Sequence, residues 1–186
     1  MTGVYVTLLL LACVMVSMLT LFNRYADSGI SSPKFPVISG ENLLGQSFQF
    51  PQDFHSNRIL VVFAYKESQA EVLKTWIDGL NLLDSTWEWY EMPIISKPLK
   101  LGRWFIDGGM LKGIPDIRLQ KRVITLYTDR ESFSRSLGIQ FDEDGAYALV
   151  VNRDGRIAGY VSGAFTTDGA TKINEWMKLD ALSSNP

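Results

Sequence analysis

Residues 59–65 read ILVVFAY, and five of those seven side chains are β-branched or aromatic. A strand with one wet face alternates apolar and polar residues, whereas a short unbroken apolar run marks a strand buried on both faces. Directly after it Ala70, Leu73, Trp76, Ile77, Leu80 and Leu83 recur at the spacing that gathers them on one helical face. A central strand feeding an amphipathic helix is the start of an α/β unit, and the flanking sequence continues it.

Residues 88–95 (EWYEMPII) read as a second strand, with Pro93 weakening its far end. Residues 99–112 have a helical pattern interrupted by Gly108 and Gly109, and GIPD at 113–116 is a turn. VITLY at 123–127 is a third strand. A short helix over 129–137 carries Phe133 and Leu137 and stops at Gly138. Residues 147–161 form a hairpin about the Asn-Arg-Asp-Gly turn at 152–155, and a last helix over 168–178 places Ala170, Ile173 and Met177 on one side. Upstream, Gly45 and Pro51 break residues 39–54 into short pieces suited to a small hairpin or edge strand. The order implies a mixed sheet with helices on both faces, in a domain spanning 39–180 and followed by a tail at 181–186.

Residues 3–22 contain no charged side chain. Twenty helical residues are enough to cross the ~30 Å hydrocarbon core of a bilayer, and no basic leader or small-residue exit marks a cleaved signal. Residues 1–22 are therefore expected to be a single transmembrane anchor, and 23–38, rich in Ser, Gly and Pro, a linker. Arg24 and Lys34 after the span pull weakly toward a cytoplasmic domain. Export through such an anchor is the alternative adopted here: an inner-membrane protein with its domain in the periplasm.

The net charge is −2 and the basic residues are scattered, which argues against a nucleic-acid partner. Cys13 is the sole cysteine and lies inside the apolar run, so the domain has no thiol nucleophile and no disulfide. His55 has no companion ligand and reads as a solvated loop residue; Asp142, Glu143 and Asp144 lack the spacing of a calcium loop. Neither a metal nor another cofactor is expected.

The element order, with its terminal hairpin and closing helix, resembles the thioredoxin-like superfamily, and Leu44-Gly45, Phe50-Pro51 and Asp53 ahead of ILVVFAY resemble the entry to its peroxiredoxin-like branch. WFIDGGM, GIPD, TLYTD, AYALVVNRDGRI and SGAF are similar to segments of bacterial relatives of a mitochondrial assembly factor for the membrane sector of F-type ATP synthase. The resemblance implies a thioredoxin site whose two cysteine positions fall at Ser68 and Glu71, and a cis-proline near Gly145 or Ala146; neither the cysteines nor the proline is present. Ser68-Gln69-Ala70-Glu71 instead fits a capping box, the serine and glutamate side chains bonding free amides at the helix start. Thr128-Asp129-Arg130-Glu131 fits a second.

The most unusual segment is Arg103-Trp104-Phe105-Ile106-Asp107-Gly108-Gly109-Met110. It carries more apolar surface than one helix face hides, and a glycine pair costs ~1 kcal/mol per residue in a helix. One reading is an amphipathic helix that the glycines let pack closely on the sheet. The other is an exposed platform for a protein or a membrane surface, made of Arg103, Trp104, Phe105, Asp107, Gly108, Gly109 and Met110, with Pro115, Asp116 and Arg118 beyond the turn. Arg122 is placed to flank it. These readings make the chain a membrane-anchored protein-binding domain without thiol redox activity, assisting assembly or quality control of a membrane complex. The competing class is an enzyme or small-ligand binder using a groove near Ser68, Tyr65 and Thr125.

Overall fold

Alternation within one strand sets up the whole molecule. In β3 (Arg58–Ala64) every residue after Arg58 is buried, and Ile59, Val61 and Phe63 enter one apolar cluster while Leu60, Val62 and Ala64 enter another. The sheet therefore divides two cores, as its unbroken apolar run demands. The computed structural model describes residues 32–96 and 109–178, and those from Pro33 onward fall in one compact unit.

The other strands are β1 (Ile38–Asn42), β2 (Ser47–Phe50), β4 (Glu88–Ile95), β5 (Ile124–Tyr127), β6 (Ala146–Asn152) and β7 (Ile157–Ser162), in the spatial order β2-β1-β5-β4-β3-β6-β7. β3, β4 and β5 run parallel; β6 and β7 on one side and β1 and β2 on the other are antiparallel. The helices are α1 (Ala70–Gly79), α2 (Ile117–Gln120), α3 (Arg130–Ser136) and α4 (Thr167–Lys178). The mixed sheet expected from the sequence is present.

The first core is aromatic. Phe35, Phe50, Phe54, Phe63, Tyr90 and Phe133 meet mostly edge-on, and Phe133 and Leu137 bring α3 onto this face. The second core lies under α1 and α4, whose Leu73, Trp76, Ile77 and Ile173 cover Leu60, Val62 and Val150. Its two buried indoles are satisfied: Trp76 Nε1 donates to the Gly163 carbonyl at 2.8 Å and Trp89 Nε1 to the Leu82 carbonyl at 2.9 Å.

Two local expectations are refined. The spacer expected over 23–38 ends earlier: Phe35 is buried in the aromatic core and Lys34 forms a backbone bridge to Arg156, so the folded unit begins at Pro33. Residues 39–54 form the expected hairpin, β1 and β2. In the β6–β7 turn the Asn152 side chain accepts from the Arg156 amide at 2.8 Å, and Gly155 takes φ +82°, which favours glycine. The expected anchor at 3–22 lies outside the described residues; among those described, no helix is long and apolar enough to cross a membrane.

Candidate functional site

The carboxyl ends of parallel strands leave a crevice where their loops turn back to the helices. Here β3 ends at Ala64 and is followed by Tyr65, Lys66 and a 3₁₀ turn, Glu67–Gln69, before α1 begins at Ala70. Gln69 organises this corner. Its Oε1 accepts from the backbone amides of Tyr65 and Lys66, both at 3.0 Å, and its Nε2 donates to the Glu143 carbonyl at 3.2 Å. One buried side chain thus ties the start of α1 to the loop ahead of β6.

That finding corrects the capping-box reading of Ser68 and Glu71. Gln69 is the residue that precedes α1, no side chain caps the helix there, and Ser68 is exposed within the 3₁₀ turn. The 3₁₀ turn moves the helix start one residue downstream, from Gln69 to Ala70, and takes Ser68 out of the N-cap position. The second box is corrected by one residue: Asp129, not Thr128, caps α3 and accepts from the Ser132 amide at 2.8 Å. The acidic loop is tied in as well, with Lys66 Nζ 2.9 Å from Asp144 and 3.5 Å from Glu143, and Arg130 3.2 Å from Glu143. The hydrogen bond to Asp144 holds the Lys66 ammonium above its ordinary pKa.

Beside this corner is an open groove of about 760 Å³. Ala70 and Leu73 of α1, Pro93, Ile95, Met110, Ile114 and Val123 line it, with Lys66, Glu67, Arg130 and Glu143 among the charged lining. On its β4 lining is Glu91. β4 alternates Trp89, Glu91 and Pro93 on one face against Tyr90, Met92 and Ile94 on the other, which sends the glutamate to the groove side. It is 9 % exposed and makes no side-chain hydrogen bond or ion pair with the described residues. Burial alone pushes its pKa up to about 7. Tyr65, another lining residue, bonds Ser134 through its hydroxyl, and desolvation pushes its pKa up to about 12.

Of the expected platform, Arg103, Trp104, Phe105, Asp107 and Gly108 lie outside the described residues. Gly109 and Met110 belong to the helical residues 109–113 and line the groove. A Cβ added at Gly109 would meet none of the described residues within 4 Å. Pro115 is exposed. Asp116 caps α2 through the Arg118 amide at 2.8 Å and pairs with the Arg118 guanidinium at 2.8 Å, while Arg118 also reaches Asp84 at 3.2 Å. Their hydrogen bond holds the Asp116 carboxyl below its usual range. The Arg122 guanidinium lies 5.9 Å from the ring centres of both Trp89 and Tyr90.

Of the residues expected at a small-ligand groove, Tyr65 lines this one, whereas Ser68 and Thr125 do not. Thr125 is buried with its hydroxyl unpartnered. His55 is exposed, as expected of a loop residue, and its backbone amide donates to Glu88 at 3.0 Å. Among the described residues no group of three His, Cys, Asp or Glu side chains is arranged to hold a metal ion. Glu91, Gln69 and Arg130 were not singled out from sequence. Glu91 left one signal: a carboxylate in a strand with parallel neighbours on both sides has little access to water.

No family model matches the chain, and no curated protein sequence does. Solved structures do match the topology. The structure of a candidate electron transfer protein from Aquifex aeolicus aligns with TM-score 0.55 and 12% identity, covering 80% of this chain and 97% of its own. The exposed lipoprotein thioredoxin of Streptococcus pneumoniae gives 0.51 and 10%, covering 75% and 98%. BsSco, of the Sco family of cytochrome c oxidase assembly proteins, gives 0.52 and 11%, covering 82% and 96%. The chain has a thioredoxin-like fold. At these identities the likeness concerns the fold. Among the described residues a cis peptide bond joins Phe50 to Pro51, distant in sequence from the Gly145–Ala146 corner where the resemblance placed one.

Proposed function

We propose that the chain is a cysteine-free thioredoxin-like binding domain, tethered to the inner membrane by residues 3–22 with the domain on the periplasmic side, that grips a segment of a partner protein during assembly or quality control of a membrane complex. The observation that carries the binding role is the groove beside the start of α1: it is concave, walled by Ala70, Leu73, Met110 and Ile114, and sits next to the positions where redox members of the fold place their cysteines. With Ser68 and Glu71 in those positions and no cysteine after Cys13, thiol chemistry has no nucleophile, while the neighbouring groove remains. The assembly role is supported by the likeness of WFIDGGM, GIPD and AYALVVNRDGRI to bacterial relatives of an ATP synthase assembly factor, and by analogy to BsSco, whose family assembles another membrane complex.

A photo-crosslinking residue at Met110 or Ala70 in the full chain tests the reading. It should trap a membrane-complex subunit, and one at the remote Lys178 should not; equal capture from both places would reject the groove as the binding site. Carbonate washing of membranes tests the tether, and release of full-length protein into the soluble fraction would remove it.

One observation favours a second reading, that of an enzyme or small-ligand binder. A carboxyl with a pKa of about 7 in a cavity suits general acid-base work near neutral pH. An enzyme would lose cellular function on Glu91→Gln while keeping its crosslinks; a binding domain would keep or lose both together.

A further inference from the structure

Of the charged residues that line the groove Glu91 is the buried one, and it has no partner among the described residues. Glu91 is buried, and neither cation lining the groove serves it: Lys66 is engaged by Asp144 and Glu143, and Arg130 by Glu143. An isolated buried carboxylate is expensive, and the cost is recovered when an opposite charge arrives with a hydrogen-bond donor. Resting on the reading of the groove as a binding site for a protein segment, we propose that this site takes an extended apolar stretch of a partner polypeptide through a lysine or arginine whose cationic head meets the Glu91 carboxylate.

Three features select that occupant. Leu73, Pro93, Val123 and Met110 offer apolar surface to the aliphatic stem of a basic side chain, which buries its methylenes and carries its charge at the tip. The volume of about 760 Å³ is several side chains' worth, so apolar neighbours of the basic residue have walls to occupy. The carboxylate is 9 % exposed, which excludes a merely surface-bound cation and requires the ligand to reach in. An anionic or purely apolar segment would leave Glu91 unpaired or repelled.

The test uses the full chain and a short blocked peptide, Gly-Ala-Leu-Xaa-Leu-Ala-Gly, with lysine, arginine or uncharged norleucine at Xaa, followed by fluorescence anisotropy at pH 8. The lysine or arginine peptide should bind at least about tenfold more tightly than the norleucine peptide, the effect expected of a charge-assisted hydrogen bond. Glu91→Gln should erase that preference, so that the lysine, arginine and norleucine peptides bind alike. Equal affinities for charged and uncharged peptides in the unaltered protein would overturn the role of Glu91 and leave the groove reading standing, and this comparison needs no variant. If no peptide binds, both readings fall. If only n-butylamine binds, and does so through Glu91, the site takes a small amine and the polypeptide proposal is overturned.

The preference should also fade as the pH falls below 7 and Glu91 takes up its proton. The other ionisable groups lining the groove are Tyr65, Lys66, Glu67, Arg130 and Glu143, and the same titration on Glu91→Gln separates their contributions. A preference that persists unchanged at pH 5 would count against Glu91 as the partner.

Discussion

β4 carries two buried glutamates three residues apart, and the protein treats them in opposite ways. Glu88, at the start of the strand, accepts from the backbone amides of His55 and Ser56 at 3.0 and 2.5 Å and from the Tyr90 hydroxyl at 2.9 Å. Glu91 has no such donor among the described residues and lines the groove. Equal burial therefore does not mean equal roles. A carboxylate surrounded by donors is a fastener for a loop, whereas one left bare beside an open cavity destabilises the ionised native state, a cost that a ligand can relieve.

The sharpest way to break this comparison is to remove the fastener. Glu88→Ala strands three donors at once, and the expected loss is roughly 3–5 kcal/mol in urea unfolding. A loss below about 1 kcal/mol would show that water replaces the carboxylate and that the two glutamates are alike. The counterpart at Glu91 is a pH profile. Its pKa rises from 4.5 to about 7 on folding, so between those values the native state holds a proton that the unfolded chain releases, and stability falls as pH rises. The full drop approaches roughly 3 kcal/mol and is complete above pH 7. Glu91→Gln should flatten this window; an unchanged slope would mean that Glu91 is not the group responsible.

How much of this was legible in sequence follows from what each signal measures. ILVVFAY announced a strand with two buried faces because burial needs only apolar character, and the helix after it announced itself by spacing. EWYEMPII gave the strand but not the unequal fates of Glu88 and Glu91, because those depend on what approaches from residues 55, 56 and 109–114, distant in sequence. Capping follows the same logic. Ser68-x-x-Glu71 satisfies the local pattern, but the box that forms lies earlier, around the 3₁₀ turn, where the Gln69 side chain accepts from the Lys66 amide and also reaches Glu143 across the fold.

Gln69 repeats the Glu88 arrangement on a smaller scale, as a buried polar side chain serving two amides and one carbonyl. Gln69→Ala should cost about 1–3 kcal/mol, and because it also frees the loop that carries Glu143, hydrogen exchange at the Tyr65 and Lys66 amides should accelerate. Unchanged protection at both would show that the 3₁₀ turn holds without its side chain.

The smallest effect separates the two helix starts. Asp129 bonds the Ser132 amide, and its carboxyl is held below the usual range chiefly by hydrogen bonding to Ser132, so Asp129→Ala should cost ~1 kcal/mol, as loss of a cap does. Ser68 is exposed, and no side chain caps the start of α1, so Ser68→Ala should change stability by less than ~0.5 kcal/mol. Paired thermal melts of the two variants decide between a local and a tertiary account of how α1 begins. Equal destabilisation would restore Ser68 as a cap and make the 3₁₀ turn incidental. A loss at Asp129 alone would mean that α1 starts where Gln69 ties the chain to the Glu143 loop, so that the helix bordering the groove is positioned by the far side of the fold.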